Sequence, residues 1–260
     1  MIDSHCHLTN PRLHGQLDAV VARAAAAGVA RLVTIGTDPA DAAAAIAVCE
    51  RHGNIRCAIG IHPNECGNVE FDAVAEIERL SGHPSVVALG EMGLDYHYDT
   101  DRGRQRRFFE AQLALAAKRT PAWPVVIHCR EAVNDALAIL GGFPGVRCVF
   151  HCFTGTADEA ARIVAAGHLL GFTGPITFKK NDALRAAVRQ TPLDRILVET
   201  DAPYLSPEPV RKEKTCEPAF VAHTLATVAK VHGIGVEEAD AITTANTVAF
   251  YEMDRNETRP

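Results

Sequence analysis

Eight short runs of apolar and β-branched residues recur along the chain at intervals of roughly 20 to 40 residues, each followed by a stretch of helical period. The runs read MIDSHCHL, ARLVTIGT, RCAIGIHP, SVVALGEMG, PVVIHCR, RCVFHCFTG, HLLGFTG and RILVETDAP. Between them, Leu17, Val20, Val21, Ala24 and Gly28 follow a helical spacing, as do Phe108, Gln112, Leu115 and Ala116. Strands that are apolar almost throughout need cover on both faces, and strand–helix alternation makes their sheet parallel. Eight such units predict a single (β/α)8 TIM-type barrel in the α/β class. An open, doubly wound sheet fits the same alternation.

The 260 residues suit one barrel domain spanning 1–260, and no low-complexity linker or internal repeat divides them. With 47% hydrophobic and 22% charged residues, the chain can bury a sizeable core. No stretch approaches the roughly 20 consecutive apolar residues of a membrane span, and MIDSHCHL lacks a basic flank before an apolar run. A cytoplasmic protein with no membrane association and a monomeric state is expected. The eight cysteines form no C-x-x-C pair, which suits reduced, mostly buried thiols. A net charge of −6 excludes a broad basic coat for nucleic acid, so any such substrate must be gripped locally.

Metal-competent side chains end strand after strand. His5 and His7 are two apart on the first run, with Asp3 ahead of them, so their side chains share a face. Glu91 ends the fourth, His128 the fifth, His151 the sixth and Asp201 the eighth. In a parallel barrel these ends share one face, where the active sites of this architecture lie. Four imidazoles and two carboxylates exceed the needs of one ion with an open position, which points to two divalent ions, Mg, Mn or Zn. The expected division places His5, His7, Glu91 and Asp201 on one ion, and Glu91, His128 and His151 on the other, with Glu91 shared. Such a pair suits phosphodiester hydrolysis. Glu91 and Asp201 are the expected catalytic residues, Asp201 serving as both ligand and general base.

Together the phrases DSHCHL, IGIHP, GEMGLDYHYD, VIHCREA, VFHCFTG, GFTGPITFKK and VETDAPYLSP resemble the TatD family of metal-dependent deoxyribonucleases, nearly end to end. H-x-H alone is shared across the wider amidohydrolase superfamily; the ordered set is specific. The resemblance implies a TIM-type barrel, a divalent-metal requirement and hydrolysis of DNA, often from the 3′ end of single strands. It places the ligands on His5, His7, Glu91, His128, His151 and Asp201, and a substrate-facing histidine at His62. Arg130 could pair with a phosphate through its guanidinium fork, or with a neighbouring carboxylate. Asp95, Tyr96 and Glu199 could orient metal-binding groups.

Two departures stand out. Asn64 occupies a position where many relatives have histidine, and VRKEKTCEP replaces an Arg-Gly-Lys-x-Asn-x-Pro-like phrase; neither falls on an expected ligand. Arg211, Lys212 and Lys214 in that loop, with Lys179 and Lys180, could gather positive charge at the barrel mouth. The substrate is expected to be DNA, with RNA or tRNA as alternatives. An ester hydrolase acting on D-aminoacyl-tRNA would use the same ions. A small-molecule amidohydrolase usually needs a lysine from the fourth strand, where this chain has Glu91.

Overall fold

The computed structural model describes residues 1–98 and 100–253. Among these, the strands are β1 (Ile2–Cys6), β2 (Arg31–Gly36), β3 (Ile55–Ile59), β4 (Val86–Asp95), β5 (Val125–Arg130), β6 (Cys148–Phe150), β7 (Leu169–Phe172) and β8 (Ile196–Val198). The helices are α1 (Pro11–His14), α2 (Leu17–Ala26), α3 (Pro39–Arg51), α4 (Ala73–Leu80), α5 (Arg102–Ala117), α6 (Val133–Leu140), α7 (Ala157–Ala165), α8 (Asp182–Gln190), α9 (Val221–His232) and α10 (Val236–Tyr251). The strands are hydrogen-bonded in sequence order, β1 to β8. That order is the (β/α)8 plan; a doubly wound sheet would reverse at a switch point.

The chain divides into two compact units. The first comprises Met1–Thr34 and Cys152–Phe250. Here β1 runs parallel to β2 with Ile2 opposite Arg31, and β7 runs parallel to β8 with Leu170 opposite Ile196. The β1 end continues as a parallel bridge from Cys6 to Ala202, just beyond β8. All five residues of β1 are buried although three of them, Asp3, Ser4 and His5, are polar. Its placement therefore depends on hydrogen bonds as well as apolar burial. The helix α2 buries Leu17, Val20 and Ala24, three of the residues whose spacing predicts it. A capping box between Thr156 and Glu159 starts α7.

The second unit comprises Ile35–His151 and, among the described residues, Tyr251–Met253. In it β3, β4, β5 and β6 pair in parallel, and all ten residues of β4 are buried. The two glycines of the GEMG phrase let β4 lie this closely on β5. A Cβ on Gly90 would sit 2.3 Å from the Val126 carbonyl oxygen, and one on Gly93 would sit 2.0 Å from that of His128. Both have φ in the range that L side chains avoid, +121° and +142°. Asp101 caps α5, whose inner face buries Phe108, Phe109 and Leu113, each contributing about 1.5–3 kcal/mol of hydrophobic stabilisation. Gln105 and Gln112 lie on that same buried face.

None of the eight cysteines forms a disulfide. Among the described residues, no single helix is long and apolar enough to cross a membrane.

Candidate metal centre

In the first unit, the backbone brings three donors together. Asp201 N donates to the His5 carbonyl at 3.0 Å, and His7 N donates to the Ala202 carbonyl at 2.7 Å. The ladder thus extends past β8 and sets Asp201 beside β1. Asp201 has φ +57°, a left-handed conformation that aspartate tolerates better than most residues. Its Oδ1 lies 3.2 Å from His7 Nε2 and 3.7 Å from His5 Nε2, and the two Nε2 atoms are 3.3 Å apart.

Asp3 clamps this arrangement from behind. Its carboxylate accepts from the Thr200 backbone N at 2.9 Å and the Thr200 hydroxyl at 2.6 Å, and from His5 N at 3.4 Å. Burial pushes Asp3 up to about 8, the bonds from Thr200 and His5 notwithstanding. Glu199 accepts from Cys152 N at 2.5 Å and the Ser4 hydroxyl at 3.3 Å. A Cβ on Gly171 would stand 2.5 Å from that carboxylate, so glycine there lets Glu199 keep this position.

In the second unit, imidazoles gather on one buried carboxylate. Glu91, 2% exposed, places Oε1 2.7 Å from His151 Nε2, 2.8 Å from His128 Nδ1 and 3.3 Å from His62 Nε2. Burial acts to raise the Glu91 pKa, but the His151 and His62 imidazoles and the bonds from His128 and His151 outweigh it and hold the group well below the usual carboxylate range. On its other side, His128 Nε2 donates to Asp95 Oδ2 at 3.0 Å. Nδ1 lies 2.8 Å from Glu91 Oε1, so a carboxylate faces each ring nitrogen; in a neutral ring whose proton stays on Nε2 against Asp95, Nδ1 would be the atom offered to a metal. Burial opposes charge on His128, yet its bonds to Asp95 and Glu91 raise its pKa. Asp95, although burial raises it, is lowered to about 2 by the bond and charge of His128.

His62 is held differently. Its Nδ1 accepts from Asn64 N at 3.1 Å, so in the neutral ring the proton sits on Nε2. Burial lowers its pKa, which favours that neutral form. The segment carrying it is anchored by His62 N donating to the Thr37 carbonyl at 2.9 Å. Gln112 adds a two-way bond to Ile61, accepting from its N at 2.7 Å and donating to its O at 3.1 Å.

Both clusters suit a cation. The donors of His5, His7 and Asp201 lie within 4.8 Å of one another, as do those of His62, Glu91 and His128. Imidazole nitrogens converging on a carboxylate oxygen form a donor set of the kind that binds a divalent ion. Imidazole with carboxylate accommodates Zn, Mn or Mg in different proportions.

The other expected residues fall out unevenly. Arg130 ends β5 exposed, with its guanidinium 5.5 Å from the centre of the Tyr98 ring. Tyr96 does not orient a histidine: its hydroxyl donates to Asp135 at 2.7 Å, because the ring turns outward under the Arg102 guanidinium. Asn64 donates to Asp95 Oδ2 at 3.4 Å, so that departure is linked to His128 through Asp95, two hydrogen bonds away. Arg211 lies 3.9 Å from the Phe178 ring centre, and Lys179, Arg185, Arg189 and Lys230 line a groove of about 410 Å³. The sequence reading missed Gln105, which accepts from Asp95 N at 2.9 Å and donates to its O at 3.0 Å. Two glutamines seven apart on the apolar face of α5 were the signal for this bracing role.

The TatD related DNase family profile matches residues 2–252. A metal-dependent hydrolase of Bacillus subtilis (strain 168), YabD, is 36% identical over 257 residues, which cover 98% of this chain and 100% of that one. The 3′-5′ ssDNA/RNA exonuclease TatD of Enterobacter lignolyticus is 37% identical over 243 residues, covering 90% and 92%. Among solved structures, the TatD homologue YjjV of Escherichia coli superposes with a TM-score of 0.91 at 28% identity, over 97% of this chain and 98% of that one. With the strand order, the paired donor clusters and these relatives agreeing along its length, the chain belongs to the TatD related DNase family and is a metal-dependent hydrolase with a TIM-type barrel fold.

Proposed function

We propose that the protein hydrolyses phosphodiester bonds of single-stranded nucleic acid, DNA foremost, from the 3′ end, with one divalent ion at each donor cluster. The observation that carries this reading is the convergence of His5 Nε2 and His7 Nε2, 3.3 Å apart, on the Asp201 carboxylate. Relatives named as 3′-5′ ssDNA/RNA exonucleases supply the substrate class.

Divalent ions held there would polarise a phosphoryl oxygen and lower the pKa of water. Asp201, 13% exposed and the most accessible carboxylate of the two clusters, accepts the proton of the attacking water. Glu91, His128 and His151 would hold the second ion, and Asp95, against His128 Nε2, would orient that ring. His62, although grouped with Glu91 and His128 by distance, has its Nδ1 lone pair taken by Asn64 N, so it serves the substrate in place of the ion and donates from Nε2 to a non-bridging phosphate oxygen. Arg130, exposed at the end of β5, pairs with a phosphate along the strand. The groove around Lys179, Arg189 and Lys230 adds local positive potential to a chain of net charge −6. The reading takes the enzyme as a cytoplasmic monomer.

The deciding experiment mixes metal-stripped protein with end-labelled single-stranded DNA, duplex DNA and RNA, then restores Mg, Mn or Zn separately. Stepwise shortening of single strands from the 3′ end is expected. Intact nucleic acid with every metal overturns the reading and moves the search to carboxylic esters, including aminoacyl-tRNA.

A further inference from the structure

The loop after β8 exposes two large side chains beside a proposed ligand. Tyr204 is 42% exposed and Leu205 39% exposed. Leu205 adopts φ +58°, a conformation that a branched residue rarely takes. Strained backbone that keeps apolar groups in water is uncommon away from sites of contact.

The Tyr204 ring is braced rather than loose. It meets the His7 imidazole in a T-shaped contact, with ring centres 6.0 Å apart at 73°. Asn10 Nδ2 donates to its hydroxyl at 3.2 Å, and the Arg12 guanidinium lies 5.3 Å from the ring centre. Tyr204 N donates to the Asp201 carbonyl at 2.9 Å, tying the ring's backbone to the proposed base. A rigid aromatic loses little entropy when a flat partner settles on it. Every nucleobase offers a π-face, so such a surface is sequence-tolerant, and an adjacent guanidinium attracts the flanking phosphate.

We propose that Tyr204, with Leu205 beside it and Arg12 and Asn10 bracing it, is the stacking platform for an unpaired nucleobase of the substrate strand. The proposal rests on the nucleic-acid reading above. It also gives a reason for a single-strand preference, since a paired base keeps its faces inside the duplex stack.

The test compares wild type with Tyr204→Phe, Tyr204→Trp and Tyr204→Leu on a single-stranded oligonucleotide and on versions with an abasic residue at each of the last three 3′ positions. Tyr204→Leu should raise KM about tenfold or more on the intact strand and change kcat little, while the Phe and Trp variants stay near wild type. On one of the abasic strands, wild type and Tyr204→Leu should become equal. An unchanged KM overturns the platform. So does a Tyr204→Leu loss of equal size on every strand, because that would mark the ring as support for His7. If wild type digests no strand, the nucleic-acid reading fails separately, and binding of a 2-aminopurine oligonucleotide to metal-free protein decides the platform. Fluorescence quenching by wild type that Tyr204→Leu abolishes sustains it; no quenching by wild type overturns it.

Discussion

The two donor clusters are built by opposite means. The His5, His7 and Asp201 group is set by main chain: a parallel ladder runs past β8, and the buried Asp3 clamps Thr200 next to Asp201. The Glu91 group is set by side chains, with three imidazoles on one carboxylate oxygen and Asp95 gripping the outer nitrogen of His128. A main-chain cluster tolerates the loss of one side chain without moving the others. A side-chain cluster depends on its central carboxylate, because three rings lose a common partner at once.

The contrast is tested most sharply at the two carboxylates. Glu91→Gln should cost more than the roughly 100-fold typical of groups outside the ligand set, and should lower the metal bound after dialysis. Asp201→Asn should lower kcat about 10²- to 10⁴-fold as expected for loss of a general base, while the metal-free fold, followed by circular dichroism, stays intact. Full activity in either variant would show that the chemistry lies elsewhere. Next in size, Asp95→Asn should weaken metal binding or activity about 10- to 100-fold through His128 alone. Calorimetric titration with Mn or Zn reads this directly, and unchanged affinity would mean that the Asp95 bond does not orient the ring.

Stability against pH should differ between the units in metal-free protein. The Asp3 pKa is raised to about 8, so its contribution is complete below the ordinary value of 3.8 and is lost as pH rises through 8. Asp95 is lowered to about 2, so its contribution is present above pH 3.8 and is lost as pH falls through 2. Its partner His128 is raised from 6.5, so that share fades as pH climbs past the raised value. Urea unfolding should show Asp3→Asn removing a decline in stability between about pH 4 and 8. The wild-type advantage over Asp95→Asn should be widest between about pH 4 and 6.5. Parallel curves for both variants would remove the distinction. The smallest effect belongs to Tyr96→Phe, which loses the Asp135 bond, about 1 kcal/mol of stability or less, and leaves hydrolysis at the wild-type level.

Much of this was legible in the chain itself. Strand and helix periods need only neighbours along the sequence, so all eight runs and the α/β alternation could be read without a structure. The candidate donors could be named because each falls in, or just past, the C-terminal half of a strand, and those ends of parallel strands share a face; the expectation that Glu91 ends its strand is corrected, since β4 runs on to Asp95. Several features required the tertiary structure, since they depend on atoms brought together from distant segments. The proton position on His62 follows from a turn that presents Asn64 N to its ring. Tyr96 faces Asp135 although it adjoins Asp95, which faces His128, because the chain leaves β4 between them. Gln105 and Gln112 brace the segments bearing Asp95 and His62 from a helix whose spacing reveals only that they are buried. Periodicity determines which face a residue occupies; hydrogen-bond partners on that face are decided by the packing of elements that the sequence separates.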